Sequence, residues 1–347
     1  MTRLGSLLAG SALAVLAAGA GVPALGQAPP GARACVLLPD TALPRWERQD
    51  RRQLAAAFTA AGVAHTIVNA GGSGRRQRAQ ARACLADGAK VLLLAHVDEA
   101  SGRSIGRLAA AAGVPVVDYA RLTRGGGARI LVAADHVHAG RLLAEGVLGA
   151  LPARPRRRPV VVRLSGPPDA AAPLVARGAD AVLASAARRG RIALGRPATA
   201  ASWRPDALAA LARRLVSGPG RADAVVATDD RLAGAVVRVL EQARRGPVPL
   251  SGRSASLAGV RNVLAGRQTG TVYDSPKLLA SAAARVAVDL LAGRRVRTNG
   301  RTSDGSRNVP SVLVRPVWIT RGNYAVLFAE GAYTRSEVCG PGTGPCP

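Results

Sequence analysis

Residues 88–118 read GAKVLLLAHVDEASGRSIGRLAAAAGVPVVD, and this stretch decides the fold. Residues 91–95 are an aliphatic run without polar alternation, as in a strand buried on both faces. From Ser101 the apolar positions Ile105, Leu108, Ala109 and Ala112 recur at helical spacing, Gly113 stops the helix, and 114–118 returns to an aliphatic run. Buried strands joined by an amphipathic helix predict a parallel sheet with helices packed on its faces.

The same unit repeats in both directions. Toward the N-terminus, 35–38 reads as a strand and 50–61 as a helix with Leu54, Phe58 and Ala61 on one face before Gly62. Then 65–68 reads as a strand, and a helix runs from its N-cap Ser73 to about Asp87. A second set follows the helix 139–151, with strands at 159–164, near Ile192, 222–227, 248–250 and 269–272. Helices at 169–187, 204–216, 232–243 and 257–265 lie between them. The last helix, 277–291, precedes a Gly/Arg/Ser-rich stretch at 292–307, a strand-like run at 311–319 and a Gly/Pro-rich tail from Thr320. That tail has little to bury and is expected to be a strap or partly disordered. The count predicts two doubly wound α/β domains, in keeping with 347 residues at roughly 150 per domain.

Hydrophobic residues form 48% of the chain but include two Phe and three Trp, so the core is expected to be aliphatic and each aromatic to have a particular task. The formal charge of +27 raises nucleic acid as a partner, yet the charge is almost all Arg, with Lys90 and Lys277 the only lysines. It is scattered through Ala-rich helices rather than gathered into a stripe. The densest run, Arg154 to Arg158, reads as a solvated loop between a helix and a strand, and no nucleic-acid partner is expected. Residues 1–26 read as a signal peptide: Arg3, an uncharged apolar run from Leu7 to Val22, and Ala24-Leu25-Gly26 before Gln27. Export to the periplasm or cell envelope follows, as a soluble protein after cleavage or on an N-terminal tether if the run is retained.

Catalytic constellations are thin: the chain has no Gly-x-Ser-x-Gly elbow and no P-loop, and the glycines at 71–74 lack dinucleotide spacing, so an enzyme is not expected. His136 and His138 stand two apart on a helix capped by Asp135 and diverge around its axis, which disfavours a metal; no cofactor is expected. The remaining polar and aromatic residues gather at strand C-termini, where open α/β sheets bind ligands. Arg45 and Trp46 follow the first strand, and Asp118 and Arg121 the fourth. Asp229 and Asp230, Arg253, and Asp274 follow strands of the second set.

With LLPD at 37–40, PRWERQDR at 44–51, GAKVL at 88–92 and GVPVVDYARL at 113–122, the chain resembles the periplasmic D-xylose-binding proteins, among the type I periplasmic binding proteins. VVATDD at 225–230, SGRSASLAGV at 251–260 and GTVY at 270–273 continue the likeness, which runs from about Cys35 to Val338. The resemblance implies a type I periplasmic binding protein fold, with two domains joined by a three-strand hinge that closes on a small ligand. It implies a monosaccharide delivered to an ABC transporter permease by a monomeric binding protein. It makes Arg45 and Arg121 sugar-binding arginines, Trp46 a neighbouring aromatic and Trp203 the second-domain tryptophan, suited to hydroxyls and to the C–H face of a pyranose. The chain departs from the family pattern in carrying Ala120 for Asp, Ala170 or Ala171 for Asn, Asp229-Asp230 for Asn-Asp, Arg253-Ser254 for Gln-Asp, and Asp274 for Lys. These changes repaint the polar half of the site and leave xylose itself in question. A sugar-sensing subunit for a receptor or kinase, and a relative whose pocket has decayed, stay open as alternatives.

The expected boundaries are 35–134 with 274–305 for the first domain and 135–273 with 306–335 for the second, crossing near Asp135, Asp274 and Val309, and then a tail at 336–347. Four cysteines in an exported chain predict disulfides. Cys35 begins a strand and Cys84 lies near a helix end at the same sheet edge, so these two are expected to pair. Cys339 and Cys346 flank a Gly/Pro-rich hexapeptide and are expected to close a small loop.

Overall fold

The computed structural model describes residues 28–41, 45–153, 157–217 and 221–339. Residues 1–26, read above as a signal peptide, and Cys346 lie outside the described residues, as do Arg154 and Arg156 of the arginine run; Arg157 of that run forks onto Asp223 at 2.7 and 2.8 Å.

The chain begins with β1 (Arg33–Leu38), a π-helical turn at Trp46–Asp50 that continues into α1 (Arg51–Ala60), and β2 (Ala64–Asn69). There follow α2 (Gly74–Ala86), β3 (Val91–Leu94), α3 (Glu99–Ala111), β4 (Val116–Tyr119) and β5 (Ile130–Ala134). The middle of the chain supplies α4 (His136–Gly149), β6 (Val160–Ser165), α5 (Ala172–Arg188), β7 (Ala193–Leu194), β8 (Ala198–Thr199) and α6 (Pro205–Val216). It continues with β9 (Ala224–Ala227), α7 (Asp230–Gln242), β10 (Ser251–Arg253), α8 (Leu257–Leu264) and β11 (Gly270–Tyr273). Last come α9 (Pro276–Leu291), β12 (Gly300–Ser303), β13 (Asn308–Val314), β14 (Val317–Ile319), α10 (Val326–Ala329) and α11 (Arg335–Val338).

The first sheet has the order β12-β13-β5-β4-β3-β1-β2, parallel except for β12. Alternate residues of its strands feed two helical layers, because successive side chains of a strand point to opposite faces. Ala34, Val36 and Leu38 of β1 pack with α1 and α9, while Cys35 and Leu37 pack with α2 and α3. In the second unit β6 pairs with β7, β8 and β9, and a bridge from Val225 to Leu250 links β9 to the β10-β11-β14 sheet. Here Val225 and Ala227 face α6 and α7, and Ala224 and Val226 face α4 and α5. Helices α4 and α5 touch backbone to backbone: a Cβ on Gly140 would overlap the Val175 carbonyl, and one on Gly178 the Val137 carbonyl. Among the described residues no helix is long and apolar enough to cross a membrane.

Three features differ from the sequence reading. The run 311–319 is two strands in two sheets: β13 pairs parallel with β5 in the first unit, and β14 pairs antiparallel with β11 in the second. The third crossing therefore lies at Arg315-Pro316 rather than near Val309, and residues 306–314 belong to the first sheet. Pro316 has no N–H for a ladder and marks the exchange. Three more strands, β5, β8 and β12, lay in stretches read without a strand. The tail from Thr320 is ordered to Cys339: Tyr324, Leu327 and Val338 are buried with Ile319, Tyr273 and Val260 in a small core over α8.

Cys35 is bonded to Cys84 at a sequence separation of 49, and no described cysteine is free. A closed loop of that length constrains the unfolded chain by about 4 kcal/mol. Cys35→Ala with Cys84→Ala is expected to lower stability by about 2–4 kcal/mol in urea unfolding, with reduction of the parent protein doing the same.

Candidate functional site

The site is built from the turn that follows β1. Arg45 forks onto Asp50 at 2.8 and 2.9 Å, and the Tyr119 hydroxyl at the end of β4 donates to the same carboxylate at 2.7 Å. Asp50 is fully buried, so these partners are what make its charge tolerable there. Burial, and then Asp50 itself, push the Tyr119 hydroxyl well above its ordinary value, keeping it a donor. The pair holds Trp46 in the core at 2% exposure, with its ring 6.5 Å from that of Tyr119.

Arg121 reaches the same indole from the loop after β4. Its guanidinium lies 5.4 Å from the Trp46 ring centre, Arg45 lies 4.8 Å from it, and Arg121 donates to the His96 carbonyl at 3.3 Å. Burial and the like charge of Arg45 lower the Arg121 guanidinium from its usual value, against the pull of Asp40. The residue before it, Ala120, has φ 65°, a left-handed conformation that costs an alanine energy and turns the chain to place Arg121.

Across the chain crossings, Arg253 at the end of β10 donates to Asp274 at 2.7 Å and to His136 Nδ1 at 2.9 Å. Burial and Arg253 hold His136 down at about 4, so the imidazole is neutral and accepts. Burial raises the Asp274 carboxyl, but Arg253 outweighs it and keeps the group ionised below the ordinary range; Arg45 adds to this through space. Three buried polar atoms here have no hydrogen-bond partner among the described residues: Trp46 Nε1, Arg253 Nε and Asp274 Oδ1.

Trp203 lies in the second unit beside Gly166, where a Cβ would overlap the indole. Its face carries the Arg231 guanidinium at 3.5 Å. Asp229 caps α7 and pairs with Arg231 at 2.9 Å, so it helps hold that cation over the ring.

Two of the predicted site aspartates have carboxylates engaged by neighbouring protein groups. Asp118 is fully buried on the face of β4 opposite Tyr119 and accepts from the Thr123 amide at 2.6 Å and its hydroxyl at 3.1 Å. That hydroxyl also meets His96 Nδ1 at 3.0 Å, which braces the loop carrying Arg121. Asp230 is buried among α7, α8, β10 and β11, and accepts from Ser256 N, Gln268 Nε2 and Thr271 Oγ1 at 2.7–3.0 Å. Gly252 and Gly259 leave room for it. Sequence position at a strand end was the same for both acids as for Asp274, and only side-chain direction separates them. The sequence reading missed Asp50, Tyr119, His136 and Arg231. The spacing of Asp50, five residues after Arg45 on a helical turn, was the available signal for the first.

The chain matches a family model described as "Periplasmic binding protein domain" over residues 34–295. It is 27% identical over 302 residues to the D-xylose-binding periplasmic protein of Escherichia coli, covering 86% of this chain and 90% of that protein. It is 27% identical over 350 residues to the multiple sugar-binding periplasmic protein SbpA of Azospirillum brasilense, covering 95% and 97%. Among solved structures, a carbohydrate transporter solute binding protein from Chloroflexus aurantiacus in complex with D-glucose superposes with a TM-score of 0.71 at 24% identity, covering 88% of this chain and 97% of that one.

Burial raises Asp118 to about 7 and Asp230 to about 6, against their hydrogen bonds. Both acids bind a proton more tightly folded than unfolded, so their contribution to stability is complete below about pH 4 and is lost as pH rises through about 6 to 7. Asp118→Asn should therefore gain stability relative to the parent protein between about pH 5 and about pH 8, as read from urea midpoints.

Proposed function

Because the chain belongs to the periplasmic binding protein family, we propose that it captures a small sugar-like ligand between its two α/β units, closes by hinge bending and delivers it to an ABC transporter. The first unit would comprise residues 33–134 with 276–314 and the second 136–273 with 317–338, with residues 1–26 acting as the export signal. The observation that carries this reading is that two polar groups, Arg45, Trp46 and Arg121 in one unit and Arg253 with Asp274 and His136 beside the chain crossings, each gather at strand ends, with Arg45 and Asp274 acting on each other electrostatically. A ligand with several hydroxyls offers both the acceptors that the unpartnered indole N–H and Arg253 N–H lack and the donor that the Asp274 oxygen lacks.

The tryptophans enter this reading differently. Trp46 is buried under two arginines and supplies an N–H rather than an open face. Trp203 supplies the face, since the Arg231 side chain above it is 55% exposed and displacing it costs about 0.5–1 kcal/mol. The relatives reported above carry sugar-binding names, which supports a monosaccharide. A second reading, a sensing subunit, is favoured by one further relative, a multiple sugar-binding periplasmic receptor of Rhizobium radiobacter, at 25% identity.

A thermal-shift screen of the mature protein against pentoses, hexoses, polyols and sugar acids should raise the melting temperature with at least one of them, since a ligand of the native state alone stabilises it. Absence of any shift at millimolar ligand would overturn the reading. Trp203→Ala is expected to weaken binding about tenfold. The ligand-induced fluorescence change should shrink in Trp203→Phe, leaving the share contributed by Trp46, and persist in Trp318→Phe, because Trp318 is wedged between Gly146 and Gly270.

A further inference from the structure

Among the partly buried arginines of this group, Arg121 is without an ion-pair partner among the described residues. Arg45 is neutralised by Asp50 and Arg253 by Asp274, and His136 is uncharged as the acceptor from Arg253. Arg121 has only the His96 carbonyl and the Trp46 ring, and among the described residues no carboxylate lies within ion-pair distance of it. Asp40 acts on it from further away. Asp118, three residues before it, is turned to the opposite face of β4 and committed to Thr123, and the intervening Ala120 offers no polar atom.

A half-buried guanidinium without a counter-charge is unfavourable, and its planar fork suits a carboxylate. The unpartnered atoms of the candidate site ask for more than an inorganic anion. Trp46 Nε1 and Arg253 Nε need acceptors, whereas Asp274 Oδ1 needs a donor. A carbon chain bearing hydroxyls and one carboxylate supplies all three kinds of group.

We propose that the ligand is a carboxylated monosaccharide, an aldonate or a uronate, whose carboxylate pairs with Arg121 while its hydroxyls meet Trp46, Arg253 and Asp274. This rests on the sugar-capture reading above and narrows it to an anionic class. It also assigns specificity to a residue pair: Arg121 selects charge, and Ala120 removes the side chain that would otherwise neutralise it internally.

The test is calorimetric titration of the mature protein with D-xylonate, D-gluconate, D-glucuronate and D-galacturonate, against D-xylose, D-glucose and D-galactose. At least one acid should bind tenfold or more tightly than its matched neutral sugar. Arg121→Gln should cost that acid at least tenfold more than it costs the neutral sugar, and Arg121→Lys should recover part of the difference, keeping charge without the fork. The parent protein's own acid-to-neutral ratio decides the question even if a variant folds poorly. Neutral sugars binding as tightly as the acids would overturn the anionic class and leave sugar capture standing. Failure of every sugar and every acid to bind would overturn both.

Discussion

The buried carboxylate of Asp50 is the constraint around which the ligand end of the first unit is organised. An ionised group with no access to water has to be met by charge and hydrogen bonds, and Arg45 and Tyr119 do so from two different strand ends. Their convergence fixes the π-helical turn, buries Trp46, and sets the floor over which Arg121 lies. Removing any one partner would leave the others in a site built for three, so the turn, the indole and the loop after β4 stand or fall together.

The second unit solves a similar problem differently. Asp230 is equally shut off from solvent, but its partners are two hydroxyl- or amide-bearing side chains and a backbone amide rather than a cation. Without a counter-charge its proton is held more tightly, whereas Asp274, beside Arg253, stays ionised. Two buried acids that follow strands of the second unit thus end in opposite protonation tendencies, and only the ionised one is positioned at the crossings.

Much of this fold was legible in the sequence because its strands are buried on both faces and its helices are amphipathic, so period and punctuation both speak. Ser73, Asp135 and the glycines that close helices fell where the reading put them, since capping is a local matter. What was not legible depends on long-range partners. Residues 311–319 are apolar almost throughout, and although Pro316 marks a break in the ladder, nothing local says that Val314 and Val317 pair in different sheets. The tail hides its buried residues, Tyr324, Leu327 and Val338, at wide and irregular spacing among glycines. At the site, Arg45, Arg121, Arg253 and Asp274 could be picked out by their positions after strands. Asp118 and Asp230 shared that position, yet the direction a side chain takes from a strand end is decided by the loop that follows.

The C-terminal segment also bears on how the two units can move. It is packed on the second unit, yet Gln49 and Gln53, at the start of the first long helix, donate to the carbonyls of Ala332 and Glu330 at 3.4 and 3.2 Å. Ser275, at a chain crossing, meets Glu330 from the same side. A rotation of one unit against the other preserves such short links only if its axis passes close to them, since a displacement of about 1 Å is enough to break a hydrogen bond. The seam between α1 and the last twenty described residues therefore marks where the pivot lies if those links survive; a pivot elsewhere would have to unfasten two amides at every swing.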